Sequence, residues 1–332
     1  MAVGVIDFTD MEIDLASSYG GSDQKRGIIY HGERYMLKMS DRIESGNRLS
    51  INSSYSNSVF SEYISCHILN ALGFCAQETL LGTLTVKSSK RVIKNVPVVA
   101  CKNFIPDDCE LIDFKVISNT LLTKKPGRIT RLSELYEIFC NENIYFSEKT
   151  LSGHIAMEDY WNRFILDAFL GNFDRHAHNW AYIFDKRIKK LSLAPTFDCG
   201  SCLYPQLADD ALDEIMQSEE EIQVRIDKFP NAALELENGE KTNYRLYMSS
   251  FENEDCTAAL LRVYPKIDMD IVYRVIDNTP GISDIRKKFY KFMLFERYNR
   301  ILTFSYRKYL GLSNHADADG DVLRQKQIMT NC

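Results

Sequence analysis

Apolar and polar positions alternate through much of the first hundred residues, and the period lengthens after that. Gly27-Ile-Ile-Tyr30 and Arg34-Tyr-Met-Leu-Lys38 flank His31-Gly-Glu33, which predicts a β-hairpin with glycine in its turn. Residues 79–86 and 96–101 read as two further strands, joined by a basic, turn-like stretch over 87–95. Between the two pairs, Phe60, Ile64, Ile68 and Leu72 recur every four residues. That period predicts a helix over 58–72, with Gly73 as its C-terminal stop. Beyond about Asn103 the pattern is helical. One helix is expected over 157–170, carrying Trp161, Phe164, Ile165, Ala168 and Phe169 and stopping at Gly171; others are expected over 212–228, 257–263, 269–277 and 283–310. A hairpin, 180–184 with 191–194, interrupts them.

These elements predict an α+β, two-lobed chain. Residues 1–103 form a small β-rich lobe with one main helix, 104–310 a larger helical lobe, and 311–332 a polar, disordered tail. The chain has 332 residues and a formal net charge of −6, which argues against a nucleic-acid binder, whose surface needs a basic excess. No apolar run reaches the roughly 18–20 residues that span a bilayer, so no membrane partner is expected. The start, Met1-Ala-Val-Gly-Val-Ile-Asp7, lacks the basic segment of a secretory signal and predicts a cytoplasmic place in the producing cell; export without such a signal stays open. The nine cysteines are irregularly spaced and read as reduced core thiols. Cys199-Gly-Ser-Cys202 has suggestive spacing but no second pair to complete a metal site.

The most informative stretch is Gly171-Asn-Phe-Asp-Arg-His-Ala-His-Asn179, between a helix stop and a hairpin. Asp174 and Asn179 are five apart, the interval of the protein-kinase catalytic loop. There the acid accepts the proton of the acceptor hydroxyl and the amide holds magnesium. The hairpin runs on to Ala194-Pro-Thr-Phe-Asp-Cys-Gly200, placing Asp198 just past a strand and beside a glycine, as expected of a metal-binding acid. Magnesium takes hard oxygen ligands and keeps positions open for phosphates. Lys38 closes its strand as a phosphate-binding lysine would, and Glu62 on the following helix is a candidate partner for its ammonium. Upstream, Ser17-Ser-Tyr-Gly-Gly-Ser-Asp-Gln-Lys-Arg-Gly27 is a polar loop suited to wrapping phosphates with backbone N–H groups. Gly20, Gly21, Ser22, Gln24 and Lys25 are its candidate contacts, although it matches neither glycine-rich consensus.

Taken together, Asp174-Arg-His-x-x-Asn179, Ala-Pro-x-Phe-Asp198 and the Glu62 helix followed by Leu-Gly resemble the HipA-like serine/threonine kinases, in particular compact, stand-alone members. Phe197-Asp-Cys-Gly-Ser-Cys-Leu-Tyr-Pro205, Arg262-Val-Tyr-Pro-Lys-Ile-Asp-Met269 and Ile276-Asp-Asn-Thr-Pro280 add to the likeness, which runs from about Ile6 to Leu310. The resemblance implies a kinase-like fold, use of ATP and Mg2+, a protein substrate with a Ser or Thr acceptor, and autophosphorylation. It implies Asp174 as catalytic base, Asn179 and Asp198 on magnesium, Lys38 on phosphate and His176 near the phosphates. Lys102, Asn103 and Phe104 would be the hinge that meets adenine. The order Asp174-Arg-His176 departs from the eukaryotic His-Arg-Asp. Only about twenty residues precede the glycine-containing loop, which speaks against a HipB-type DNA-binding partner.

Plainer readings accompany each residue. Asp174 as a turn-capping acid is outweighed by Asn179 and Asp198 in register. His176 and His178 lack a third zinc ligand, and His178 reads as structural or exposed. Ser18 or Ser22 is a candidate autophosphorylation site, where added charge would repel the nucleotide. Asp209, Asp210 and Ser218-Glu-Glu-Glu221 read as a solvated face, or as part of an acid-lined cleft. That cleft would suit a cationic small molecule, so a small-molecule phosphotransferase remains an alternative, as does an inactive nucleotide-binding module.

Overall fold

The computed structural model describes residues 5–14, 25–39, 57–87, 92–123, 127 and 129–312. Gly20, Gly21, Ser22, Gln24, Ser18 and the expected tail from 313 onward lie outside the described residues. The chain begins β1 (Ile6–Asp7), β2 (Glu12–Ile13), β3 (Lys25–Tyr30), β4 (Glu33–Met39), α1 (Ser58–Ala71), β5 (Thr79–Lys87) and β6 (Val92–Lys102). It continues β7 (Cys109–Asp113), α2 (Phe114–Leu121), β8 (Thr130–Arg131), α3 (Leu132–Phe139), α4 (Gly153–Leu170), β9 (Ala181–Asp185) and β10 (Lys190–Leu193). Then come α5 (Leu212–Gln217), α6 (Glu219–Asp227), β11 (Leu234–Glu235), α7 (Tyr244–Ser250), α8 (Glu254–Val263), α9 (Met269–Asp277), α10 (Asp284–Arg297) and α11 (Phe304–Tyr309). The fold is α+β and packs into two units that are discontinuous in sequence. Unit 1 takes Met1–Asp107, Pro195–Ala211 and Asp270–Ser283; unit 2 takes Asp108–Ala194, Leu212–Met269 and Asp284–Cys332.

Unit 1 is a six-stranded sheet, β1-β5-β6-β4-β3-β2. Its hairpin closes through His31 and Gly32, both at positive φ (49° and 78°), the backbone twist that suits a two-residue turn. Alternation sorts the sheet's two faces. Phe8, Ile28, Tyr35, Leu37, Leu84, Val98 and Ala100 form the core on one face. Val99 and Cys101 face the other way, together with Met36, and pack against Val59 and Tyr63 of α1. Lys38 pairs with Val99 and Met36 with Cys101, so the lysine shares the face that α1 covers. A backbone clamp holds the chain after Pro195 against the segment that follows α1: Thr196 N–H donates to Cys75 O and Gln77 N–H to Thr196 O, each at 2.9 Å.

Unit 2 centres on α4 and a three-stranded sheet, β10-β9-β7. The hairpin expected alone thus gains a third strand, because Cys109–Asp113 pairs antiparallel with β9. Trp180 is fully buried, stacked on Phe114 with centroids 4.1 Å apart. The α4 helix begins at Gly153, earlier than the periodicity indicates, and ends at Gly171 with φ 70°. The single helix expected over 212–228 is two helices. Ser218 breaks it by capping α6, its Oγ accepting from Glu221 N–H at 3.2 Å, and three acids follow in the first turn, where the helix dipole favours them. Glu221 also pairs with Arg225 and Glu219 with Arg300, so these acids serve α6 and its ion pairs. The long helix expected over 283–310 is interrupted by a π-helical segment, Tyr298–Thr303, between α10 and α11.

Candidate active site

In unit 1 three charged residues from three separate segments meet. Lys38 Nζ lies 3.0 Å from Glu62 Oε2 and 2.8 Å from Asp198 Oδ1. The strand register turns Lys38 toward α1, and Glu62 lies on the α1 side with Val59 and Cys66, three and four residues away. The Glu62 side chain is 1% exposed and that of Asp198 37%, so Glu62 holds the ammonium from within while Asp198 keeps solvent access. Burial alone would push the Lys38 pKa down; the carboxylates of Asp198 and Glu62 outweigh it and hold the ammonium well above the ordinary lysine value. For Glu62 burial is the stronger influence. It raises the carboxyl's pKa, while Lys38 and a backbone hydrogen bond from Cys199 pull it part of the way back. Cys66 Sγ stands 4.0 Å from Glu62 Oε1. Asp198 itself has φ 57°, a left-handed conformation that non-glycine residues adopt at a cost and that often marks a functional turn.

In unit 2 the loop after α4 is closed by its own hydrogen bonds. Gly171 supplies the left-handed turn out of the helix. Asn172 Oδ1 accepts from Asp174 N–H at 3.0 Å, and His176 N–H donates to Asp174 O at 2.8 Å. The Asn179 side-chain NH2 donates to Asp174 O at 2.8 Å, and the oxygen of the same amide is its atom suited to a cation. His176 Nδ1 accepts from His178 N–H at 3.2 Å, so the ring proton sits on Nε2, 3.8 Å from Asp174 Oδ2. His178 Nδ1 lies 2.9 Å from Asp113 Oδ2, a role in holding β7 to the loop. Asp174 and Asn179 therefore share one rigid turn, with Asn179 buried and the Asp174 carboxylate about one-third exposed at 34%.

The remaining candidates are placed as follows. Lys25 opens β3 and pairs in register with Lys38. In the stretch expected to meet adenine, Lys102 N–H donates to Glu78 O, Gln77 Nε2 donates to Lys102 O, and Asn103 N–H donates to Arg34 O. The Phe104 ring lies 5.7 Å from that of Phe197, next to Asp198.

Asp167, Asn172 and Arg175, which no spacing in the sequence marks out, form a buried network beneath the loop. Arg175 Nε and Nη2 donate to the two Asp167 oxygens at 3.0 and 3.1 Å, and Asn172 Nδ2 donates to Asp167 Oδ1 at 2.8 Å. Their signal was an ionisable residue inside the apolar run Phe164-Ile-Leu-Asp-Ala-Phe169, where an acid survives only with a partner.

Comparison with known proteins gives a consistent answer. The chain is 38% identical over 310 residues to the serine/threonine-protein kinase CtkA of Helicobacter pylori, spanning 93% of this chain and 90% of that one. The crystal structure of the proinflammatory H. pylori kinase CtkA matches with a TM-score of 0.82 at 37% identity, covering 94% of this chain and all of that one. The HipA, HipB and operator DNA complex of Shewanella oneidensis MR-1 contains a chain matching with a TM-score of 0.52 at 16% identity, over 88% of this chain and 66% of that one, a likeness of fold alone. A scan of protein-family profiles finds no match.

Proposed function

Since the chain belongs to the HipA-like serine/threonine-protein kinases of CtkA type, we propose that it transfers the γ-phosphoryl group of Mg-ATP to a serine or threonine hydroxyl, its own included. The observation that carries this assignment of residues is the Lys38 ammonium held between Glu62 and Asp198. A lysine so fixed presents a positive charge to phosphate oxygens without first paying the entropy of ordering a long side chain.

Magnesium is assigned to Asp198 and Asn179 by their chemistry: a carboxylate and an amide oxygen are each hard ligands of the kind this ion takes beside phosphate and water. An ion held by these two residues would neutralise phosphate charge. Phosphoryl transfer has a loose transition state, so the protein's own work is positioning and charge compensation. Lys38 binds phosphate, and Glu62 keeps it aimed. Asp174 accepts the proton of the acceptor hydroxyl, with His176 Nε2–H beside it to orient the carboxylate or meet phosphate. Gly20, Gly21, Ser22, Gln24 and Lys25 wrap the phosphates, and Lys102, Asn103 and Phe104 meet the base. Ser18 or Ser22 is the proposed site of self-modification, where phosphate would repel the nucleotide and reduce activity.

The test uses purified chain with labelled ATP and Mg2+, alone and with cell lysate, followed by identification of each labelled species. Asp174→Asn is expected to abolish transfer with little change in thermal unfolding; Asp198→Asn is expected to abolish transfer, to weaken Mg-ATP binding and, because Lys38 loses one of its two carboxylates, to lower the unfolding temperature with the fold intact. Undiminished transfer by both variants would overturn the assignment. Peptide mapping of wild type against Asp174→Asn locates the modified serine; an unmodified 17–27 peptide in active protein overturns that part.

A further inference from the structure

We infer that Asp167 and Arg175 act as a positioning pair that sets the spacing between the Asp174 carboxylate and the Asn179 amide; this rests on the roles proposed above for those two residues. The pair belongs to a closed ring of hydrogen bonds. Asp167, in the last turn of α4, accepts from Asn172 Nδ2 and from both Nε and Nη2 of Arg175. Asn172 Oδ1 holds the Asp174 N–H, the Asn179 amide holds the Asp174 C=O, and Arg175 Nη1 holds the Asn179 C=O at 2.8 Å. The ring therefore returns to Asp167 after touching the main chain of both functional residues.

Burial makes the ring stiff. Asp167, Asn172 and Arg175 are 3%, 0% and 7% exposed, so neither charge has water to fall back on. The guanidinium is the group that suits this place. Its planar fork meets the carboxylate through two nitrogens and still spends a third on Asn179, which an ammonium on a flexible stem does not reproduce. Tyr244 OH adds a bond to Asn172 O at 2.8 Å, and Arg297 Nε one to Ala168 O at 2.8 Å, so α4 and the ring are anchored from behind. Neither Asp167 nor Arg175 needs to touch a substrate for this role. They act on the reaction through where they put Asp174 and Asn179.

The experiment compares wild type, Arg175→Lys, Asp167→Asn, the double variant and Asn179→Ala for kcat, ATP KM at saturating Mg2+, and the Mg2+ concentration at half-maximal rate. Amounts are normalised to folded protein, well below each unfolding midpoint. Arg175→Lys is expected to lower kcat by roughly 10- to 100-fold, the scale of a small misplacement of reacting groups, and to raise the Mg2+ requirement with little change in ATP KM. Because the two residues work through one another, the double variant should lose about as much as the worse single one. If Asp167→Asn fails to fold, Arg175→Lys alone decides. Lowered unfolding temperature with wild-type kcat and Mg2+ requirement per folded molecule would reduce the pair to a purely structural role and overturn the inference. A shifted Mg2+ requirement in Asn179→Ala but not in Arg175→Lys overturns the inference alone; no shift in Asn179→Ala overturns the metal assignment beneath it.

Discussion

Glu62 carries a buried charge whose balance is testable. Its folded-state pKa is raised above the ordinary 4.5 because burial outweighs the pull of Lys38. The folded chain thus takes up a proton at Glu62 before the unfolded chain does. Between the raised value and 4.5 the native state binds more protons, so this residue's contribution to stability improves as pH falls and worsens as pH rises through that window. Lys38 has the opposite partner effect: its raised pKa contributes stability in full below 10.5 that is lost only as pH climbs through the higher folded value. In urea unfolding, wild type is expected to gain on Glu62→Gln as the pH falls toward 4.5, and the reverse trend would show a carboxylate whose pKa is depressed. Asp198 still faces the Lys38 ammonium in that variant, which limits the loss of stability. Activity should drop more, by about 10- to 100-fold, as expected when a charged hydrogen bond of ~1.5–3 kcal/mol no longer aims the lysine.

At the scale of elements, α4 and the loop after it show what a single backbone position decides. Gly171 turns the chain at φ 70°, and a Cβ there would sit 3.4 Å from Arg297 Nε. Gly171→Ala should cost roughly 1–2 kcal/mol for the left-handed conformation, read as a lower urea midpoint with unchanged slope. Some elements are legible in the sequence and others are not, for reasons of range. The hairpin β3–β4, α1 and α9 announce themselves through local period and turn chemistry. The five-residue strand β7 does not, because Cys109-Glu-Leu-Ile-Asp113 owes its conformation to pairing with β9, about seventy residues away. The face of α1 is also hidden. Val59, Phe60, Ser61, Glu62, Ile64 and Ser65 are all buried, so apolar spacing cannot single out the side that Glu62 occupies. Spacing alone marks Asp174, Asn179 and Asp198 as candidates. The network under them is not so marked, because hydrogen bonds among Asp167, Asn172 and Arg175 follow the loop's conformation and leave no periodic trace.

For the whole molecule, the sequence order of the units matters more than their lengths. Unit 1 draws its last two segments from beyond parts of unit 2: Pro195–Ala211 follows the first segment of unit 2 and Asp270–Ser283 the second. A fragment of residues 1–107 would lack Asp198, which faces Lys38, and Thr196, which clamps Cys75 and Gln77. It is therefore expected to show no cooperative unfolding transition, where the full chain shows one; a sharp transition in the fragment would mean that the sheet and α1 suffice. The same unit hides most of its sulfur. Cys66, Cys101, Cys199 and Cys202 are fully buried, and burial keeps Cys101 protonated, whereas Cys75 lies at the surface. An alkylating reagent would consequently label Cys75 at once and the interior four only when the sheet and α1 part, so the rate at which those four are modified is an intrinsic clock for the opening of the lysine's surroundings, and one that a bound nucleotide would slow.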